Sequence, residues 1–231
     1  MASSAIQSIT GNGAGVSSVT VTFSAAPAIG NLIVVLITQL YGANPSRAVS
    51  SVADGAAAAY SLGRKAGAAG DNSTTDIYYR VATSTNSAIT VTLAAAASVS
   101  VAIVEYPSTY STFDATNNSA GIGNGASPQT ATPGSVTQAA TSLFINGVGH
   151  NQAYTTFSVP TGFNQVVNID NGVAVPIFLC DAIVSGAQNP ASTLTGATTF
   201  WSDVLLTFTG GVVASPKIGA RSRHYPQVAR R

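Results

Sequence analysis

Apolar and polar residues alternate with a period of two along much of this chain, as in Val19-Thr20-Val21-Thr22-Phe23, Ile89-Thr90-Val91-Thr92-Leu93 and Val99-Ser100-Val101-Ala102-Ile103. That period turns one set of side chains to a core and the hydroxyls to water, so these segments are expected to be half-buried β-strands. Leu32 to Thr38, Leu143 to Val148 and Val173 to Val184 are more continuously apolar or β-branched. Such runs suit strands covered on both faces or central in a sheet. No stretch carries a helical stripe, and the Ala-rich pieces 56–59 and 94–97 are too short to be independent helices.

Turn chemistry interrupts the strands at short intervals, at Gly11-Asn12-Gly13, Pro27 to Gly30, Asp54-Gly55, Pro133-Gly134, Pro160 to Gly162 and Asn189-Pro190. Asp170-Asn171-Gly172, between apolar runs, is the best hairpin signal, because Asn and Gly accept the positive φ of a two-residue turn. Many short strands so spaced predict an all-β, jelly-roll-like antiparallel sandwich.

The two halves of the chain also resemble each other weakly. Gly30-Asn31-Leu32-Ile33-Val34-Val35 matches Thr141-Ser142-Leu143-Phe144-Ile145-Asn146 as an opening strand, and Asp76-Ile77-Tyr78-Tyr79 matches Pro176-Ile177-Phe178-Leu179. A turn follows each, at 83–87 and 185–190, and then strands ending in Val101 to Tyr106 or Val204 to Phe208. Two similar sandwiches or two pseudo-equivalent halves of one are both compatible with this pattern. The expected organisation is a first sandwich half or domain over 1–120, a second over 121–210, and an extended basic arm over 211–231. The segment 107–140 reads as the connection, with Phe113-Asp114-Ala115 a candidate edge strand.

Charge divides the chain as sharply as hydropathy does. Residues 1–210 hold four Lys/Arg against all eight Asp/Glu, a net of −4, while 217–231 carry five cations: Lys217, Arg221, Arg223, Arg230 and Arg231. Prolines at both ends and the lack of an apolar period predict an extended arm. Its cations, with Tyr225 beside them, form a candidate partner-docking segment whose contacts should be salt-sensitive. Nucleic acid is not expected as the partner, because the body offers no basic face and the net charge is only +1. Charged residues make up 7% of the chain, against about 25% in ordinary soluble domains. Weak colloidal repulsion favours assembly, so a homo-oligomer or a place in a larger assembly is expected.

Candidates for chemistry are sparse. Cys180, the single cysteine, leaves no intramolecular disulfide and no zinc spacing, and it reads as a small core residue. His150 reads as a solvated loop histidine after the strand Leu143 to Gly149. The carboxylates are scattered; Glu105 and Asp203 could share a pocket, but capping of loop amides is the stronger expectation. Asp71-Asn72 with Asp76, and Asp170-Asn171, are weak calcium hints. Gly11-Asn12-Gly13-Ala14-Gly15 and Gly121-Ile122-Gly123-Asn124-Gly125 lack the strand-to-helix setting and Lys-Ser/Thr of phosphate loops, and read as turns. Tyr154 and Trp201 are candidate glycan contacts, although a Trp in an alternating strand is more often core. No cofactor or metal is expected. The opening Met1-Ala2-Ser3-Ser4 shows no basic n-region or apolar h-region, which predicts no secretory signal and assembly in the cytoplasm. No apolar run approaches the roughly 20 residues of a membrane helix.

The order Gly30-Asn31-Leu32-Ile33-Val34-Val35, Ser51-Val52-Ala53-Asp54, Ile77-Tyr78-Tyr79, Val104-Glu105-Tyr106 and Phe113-Asp114-Ala115-Thr116 resembles a β-sandwich module of phage virion structural proteins and bacterial surface proteins. The resemblance covers residues 30–120, with a weaker continuation through Pro160-Thr161-Gly162-Phe163 and Trp201 to Phe208. The chain departs from the pattern at Asp54-Gly55-Ala56-Ala57, where the module carries a Gly-Asn pair. The resemblance brings no catalytic residues. It implies a virion structural component, a capsid decoration or head-surface protein whose partners are the major capsid or other virion proteins. The alternative is a tail-fibre or adhesin module that binds host surface glycan.

Overall fold

The computed structural model describes residues 4–40, 48–67, 73–151, 154–169, 175–196 and 199–210, with the backbone alone at Tyr154, Thr155 and Thr199. Segments 41–47, 68–72 and 152–153 and the arm 211–231 lie outside this set. The stretches 66–75 and 150–156, expected from sequence as exposed loops like 41–47, instead hold the end of the strand Ser61–Ala66, the start of Ser73–Val81, the end of Val136–His150 and part of Tyr154–Phe157, with Ser73, Thr74, Thr75 and His150 buried. The described residues form an all-β antiparallel sandwich with one 3-10 turn, Ser108–Tyr110.

In the first half the strands are β1 (Gln7–Thr22), β2 (Leu32–Leu40), β3 (Val49–Asp54), β4 (Ser61–Ala66), β5 (Ser73–Val81) and β6 (Ala88–Tyr106). The second holds β7 (Thr112–Phe113), β8 (Ser119–Gly125), β9 (Gln129–Ala131), β10 (Val136–His150), β11 (Tyr154–Phe157), β12 (Asn164–Ile169), β13 (Ile177–Gln188), β14 (Ser192–Gly196) and β15 (Thr199–Thr209). The first sheet runs β1-β6-β2-β5-β4, and the second runs β12-β13-β10-β15 with β7 and β8 beside β15. The segment 107–140 is therefore more than a connection: it contributes β7, β8, β9 and the start of β10. Phe113 does form an edge strand, paired with Phe208.

The halves share one strand plan, register included. Leu32 faces Val81 on one side and Tyr106 on the other; Leu143 faces Ile183 and Phe208. β4 steps past one residue against β5 between Leu62 and Arg64, and β12 does so against β13 between Gln165 and Val167. A second irregularity, between Val49 and Ser51 in β3, recurs between Tyr154 and Thr156 in β11. Bulges bend a strand and re-aim its twist, so their recurrence marks one backbone plan used twice. The structure equates Asp76 with Phe178, two residues beyond the pairing read from sequence. A slip of two keeps every side chain on its face, which is why the hydropathy pattern could not detect it.

Each unit folds back on itself. β1 and β6 make a long ribbon whose outer part, with β3, returns over the outer face of the sheet. Val21, Val52, Ile89 and Val91 thereby pack against Ile33, Val35, Ile37 and Ile103. In the second unit the corresponding lid is the sheet β11-β14-β9, which covers Phe144, Phe178, Cys180 and Leu205. Between the units lies a common core of Leu32, Leu36, Ile77, Val104, Leu143, Ile145, Leu179 and Leu206. Val99 to Ile103 is consequently buried on both faces, not half-buried as its alternation predicts: the small Ser100 and Ala102 point to the common core.

The two Gly-x-Gly runs are strand, not turn, and they occupy equivalent places. Gly13 pairs with Val99 and Gly123 with Trp201. A Cβ at Gly13 would stand 2.6 Å from Val16 Cγ2, and one at Gly123 would stand 2.5 Å from Trp201 Cζ2. Glycine is required where the fold-back or a core ring lies directly on the strand.

Equivalent residues meet across the common core, since a Cβ on Gly147 would stand 2.5 Å from Leu36 Cδ1. β5 lies against β15 as β13 lies against β6, and β4 against β8 as β12 against β1. The units are thus related by a pseudo-twofold exchange. Gly149 lies against Thr38, one more equivalent pair along, so β2 and β10 run in the same direction. The strand ends that flank 41–47, 68–72 and 152–153 therefore lie at one end of the body. β15 finishes at the other, where Thr209 pairs with Ser142.

Candidate functional site

Six carboxylates belong to the described residues, and each is engaged by its own chain. Asp54 accepts from Ala56 N at 3.0 Å and Ala58 N at 3.3 Å, and meets Arg80 Nη1 at 2.8 Å. Glu105 accepts from Ala28 N at 2.9 Å, Asn31 Nδ2 at 2.7 Å and Gln7 Nε2. Asp114 accepts from Thr116 N at 2.9 Å, and from Asn117 Nδ2 and Gln138 Nε2, each at 2.8 Å. The side-chain bonds from Asn117, Thr116 and Gln138 hold its carboxyl well below the usual range. Asp181, fully buried, accepts from Ser4 N and Oγ at 3.2 Å.

The other two are buried and electrostatically costly. Asp76 Oδ1 lies 4.0 Å from Lys65 Nζ. Burial pushes its pKa up to about 6 against the pull of Lys65. Gln39 and Thr74, cross-strand partners beside it, have buried polar side-chain atoms without hydrogen-bond partners among the described residues. Asp203 accepts a bond from Asn146 Nδ2, while its Oδ2 is buried without a hydrogen-bond partner among the described residues. Burial raises its pKa despite that bond. Cys180 Sγ lies 3.5 Å from Asn146 Oδ1, and burial, then Asp203, raises the thiol's pKa as well.

Glu105 and Asp203 do not meet. Glu105 lies on the outer face of the first sheet and Asp203 on the outer face of the second, with the common core between them. Asp71, Asn72, Asp170 and Asn171 lie outside the described residues, whereas Asp76 stands on β5. Among the described residues no three His, Cys, Asp or Glu side chains converge as a metal site. No helix of the described residues is long and apolar enough to cross a membrane.

His150 is the correction among the candidates. It is the last residue of β10, pairs with Trp201 and is 2% exposed, not solvated in a loop. Its Gly-His-Asn-Gln neighbourhood hid a strand end whose partner lies fifty residues away. Trp201 is 9% exposed and joins the core beneath the small sheet; the side chain of Tyr154 lies outside what is described. Lys217, Arg221, Arg223, Tyr225, Arg230 and Arg231 lie outside the described residues altogether. The sequence did not nominate the Arg80 clasp, which joins two strand ends: besides Asp54, Arg80 donates to Ala58 O at 3.1 Å and to Thr83 Oγ1, and lies 5.8 Å from the Tyr60 ring centre.

Neither a protein-family model, nor a curated protein, nor a solved structure matches this chain.

Proposed function

We propose that the chain is a non-enzymatic virion structural protein, a capsid decoration or head-surface subunit that docks through its basic C-terminal arm. The observation that carries this reading is the division of charge: the six described carboxylates are spent on the chain's own contacts, while five cations follow β15 in the sequence. Lys217, Arg221, Arg223, Arg230 and Arg231, with Tyr225, are the docking residues, and their partner is an acidic surface of the major capsid or another virion protein. The arm follows β15, which ends opposite the strand ends flanking 41–47 and 152–153, so a body docked by its arm turns those strand ends outward. The resemblance of residues 30–120 to phage virion modules agrees with this role, and the low charge suits a homo-oligomer assembled in the host cytoplasm. Glycan binding through Trp201 has less support, because that ring is enclosed in the core.

Cosedimentation of the full chain, and of a truncation after Gly210, with phage capsids at low and high salt tests the reading. Binding that needs the arm and weakens as salt rises is expected. Equal binding by both forms, or no binding by either, would overturn it.

A further inference from the structure

The two units differ most usefully where they should be alike. In the first, the gap between the β3–β4 connection and the β5–β6 turn is closed by Arg80, which reaches Asp54, Ala58 and Thr83. The shared register sets Ala182 at the place of Arg80, and Phe163, just before Asn164, at the place of Tyr60. Val159, two residues past Phe157, stands where Asp54 stands, two past Val52. A methyl group makes no such clasp, and between the β11–β12 connection and the β13–β14 turn of this unit lies a cleft of about 260 Å³.

The walls of the cleft are set before any ligand arrives. Gly162 takes φ +85°, and Phe163 N donates to Pro160 O at 3.1 Å, which fixes one side as a tight turn. The two sides are tied by Ser158 N to Thr193 O at 3.0 Å and Thr193 N to Ser158 Oγ at 2.8 Å. The floor is apolar, made of buried Pro160, Pro190 and Phe163; Thr161, Gln188 and Asn189 line the mouth with a hydroxyl and two amides. Among the described residues no charged side chain lines it.

We propose that this cleft binds one neutral sugar ring, a hexopyranose unit of a glycan. Its size falls just below the roughly 300–1,000 Å³ of pockets for drug-sized ligands, which suits a single ring. A pyranose offers a C–H face to prolines and a phenyl ring and hydroxyls to amides. A phosphate or carboxylate ligand would find no counter-charge among the described lining residues, and its desolvation would go uncompensated there. The cleft opens at the end from which the arm departs, but sugar binding does not depend on docking, and either can fail without the other.

Saturation-transfer NMR on the full chain, with glucose, galactose, mannose and N-acetylglucosamine as probes, tests the proposal. At least one should bind with millimolar affinity. Ala191→Trp, at an exposed rim position, should fill the cleft and weaken that binding at least tenfold. Asn189→Ala should weaken it roughly three- to tenfold, the effect of one lost hydrogen bond. Both variants should keep the parent melting temperature, which separates loss of the site from loss of the fold. No transfer from any of the four sugars, or binding that Ala191→Trp leaves unchanged, overturns the assignment. So does tighter binding of an anionic sugar such as sialic acid.

Discussion

Gly123→Ala probes the fold at the point where one unit closes on itself. The added Cβ would lie 2.5, 2.6 and 2.8 Å from Cζ2, Cε2 and Nε1 of Trp201. Carbon atoms rest about 3.5–4.0 Å apart, so the ring must withdraw by roughly 1 Å. Trp201 is 9% exposed and packed in the core beneath the small sheet, so its retreat displaces neighbours there. Overpacking of this kind costs about 1–3 kcal/mol, and a rigid indole belongs at the upper end. In a chain of this size each kcal/mol lowers Tm by about 2–4 °C, giving an expected fall of roughly 4–12 °C. Gly125 is the internal control: it lies two residues on in the same strand, and a Cβ there meets nothing within 4 Å. Gly125→Ala should therefore be neutral or gain about 0.4–1 kcal/mol from reduced freedom of the unfolded chain. Trp201 is the one tryptophan, so its emission reports the displacement directly and should change in Gly123→Ala alone. Equal stability of the two variants, with unchanged emission, would refute the fold-back account of these glycines.

Asp76, whose pKa is raised from 3.8 to about 6 by burial, keeps its proton in the folded state where the unfolded chain has lost it. Stability should therefore fall as pH rises from about 4 to 6, by at most roughly 2–3 kcal/mol, and level off above; urea midpoints at pH 4, 5, 6 and 7 should show a shallower slope for Asp76→Asn, and parallel slopes would contradict the assignment. Arg80→Ala leaves the largely buried Asp54 without its cation and should cost about 2–4 kcal/mol. Adding Asp54→Ala should cost less than the sum of the single losses, with a coupling above about 1 kcal/mol, and simple additivity in the double-mutant cycle would count against the clasp. Cys180 is fully buried, so a thiol reagent at pH 8 should label the native chain only at its rate of unfolding; immediate labelling would show the second unit to be open.

The period-two pattern made the strands readable because each unit has a face that must be buried, and alternation is the local consequence of that need. The duplication was visible for the same reason, yet its register was not, since Asp76 fits opposite Pro176 or Phe178 equally well by hydropathy. Features that depend on distant parts of the chain stayed hidden. Gly123 looks like turn chemistry until Trp201 lies across it, and His150 looks solvated until the same residue pairs with it. Arg80 and Asp54 are ordinary surface residues in sequence, joined only because β3 and β5 finish at the same end of the body.

The common core explains why two such units share one chain. In a symmetric homodimer every residue on the axis faces its own copy, so the pair that meets there must be two equal residues. Here the pair is Leu36 against Gly147, and Thr38 against Gly149, large into small at successive positions. Two copies of Leu36 would collide, and two copies of Gly147 would leave a gap beside Ile77, whose Cδ1 is 3.2 Å from a Cβ placed there. Joining the units covalently removes the demand for self-complementarity, and the interface has become a fitted one. The same release from symmetry lets the outer faces diverge without disturbing the strands: a cation clasp at Arg80 and an open cleft between Pro160 and Pro190 stand on one backbone plan. Differences between units are therefore the places to look for function, because packing alone would have kept them the same.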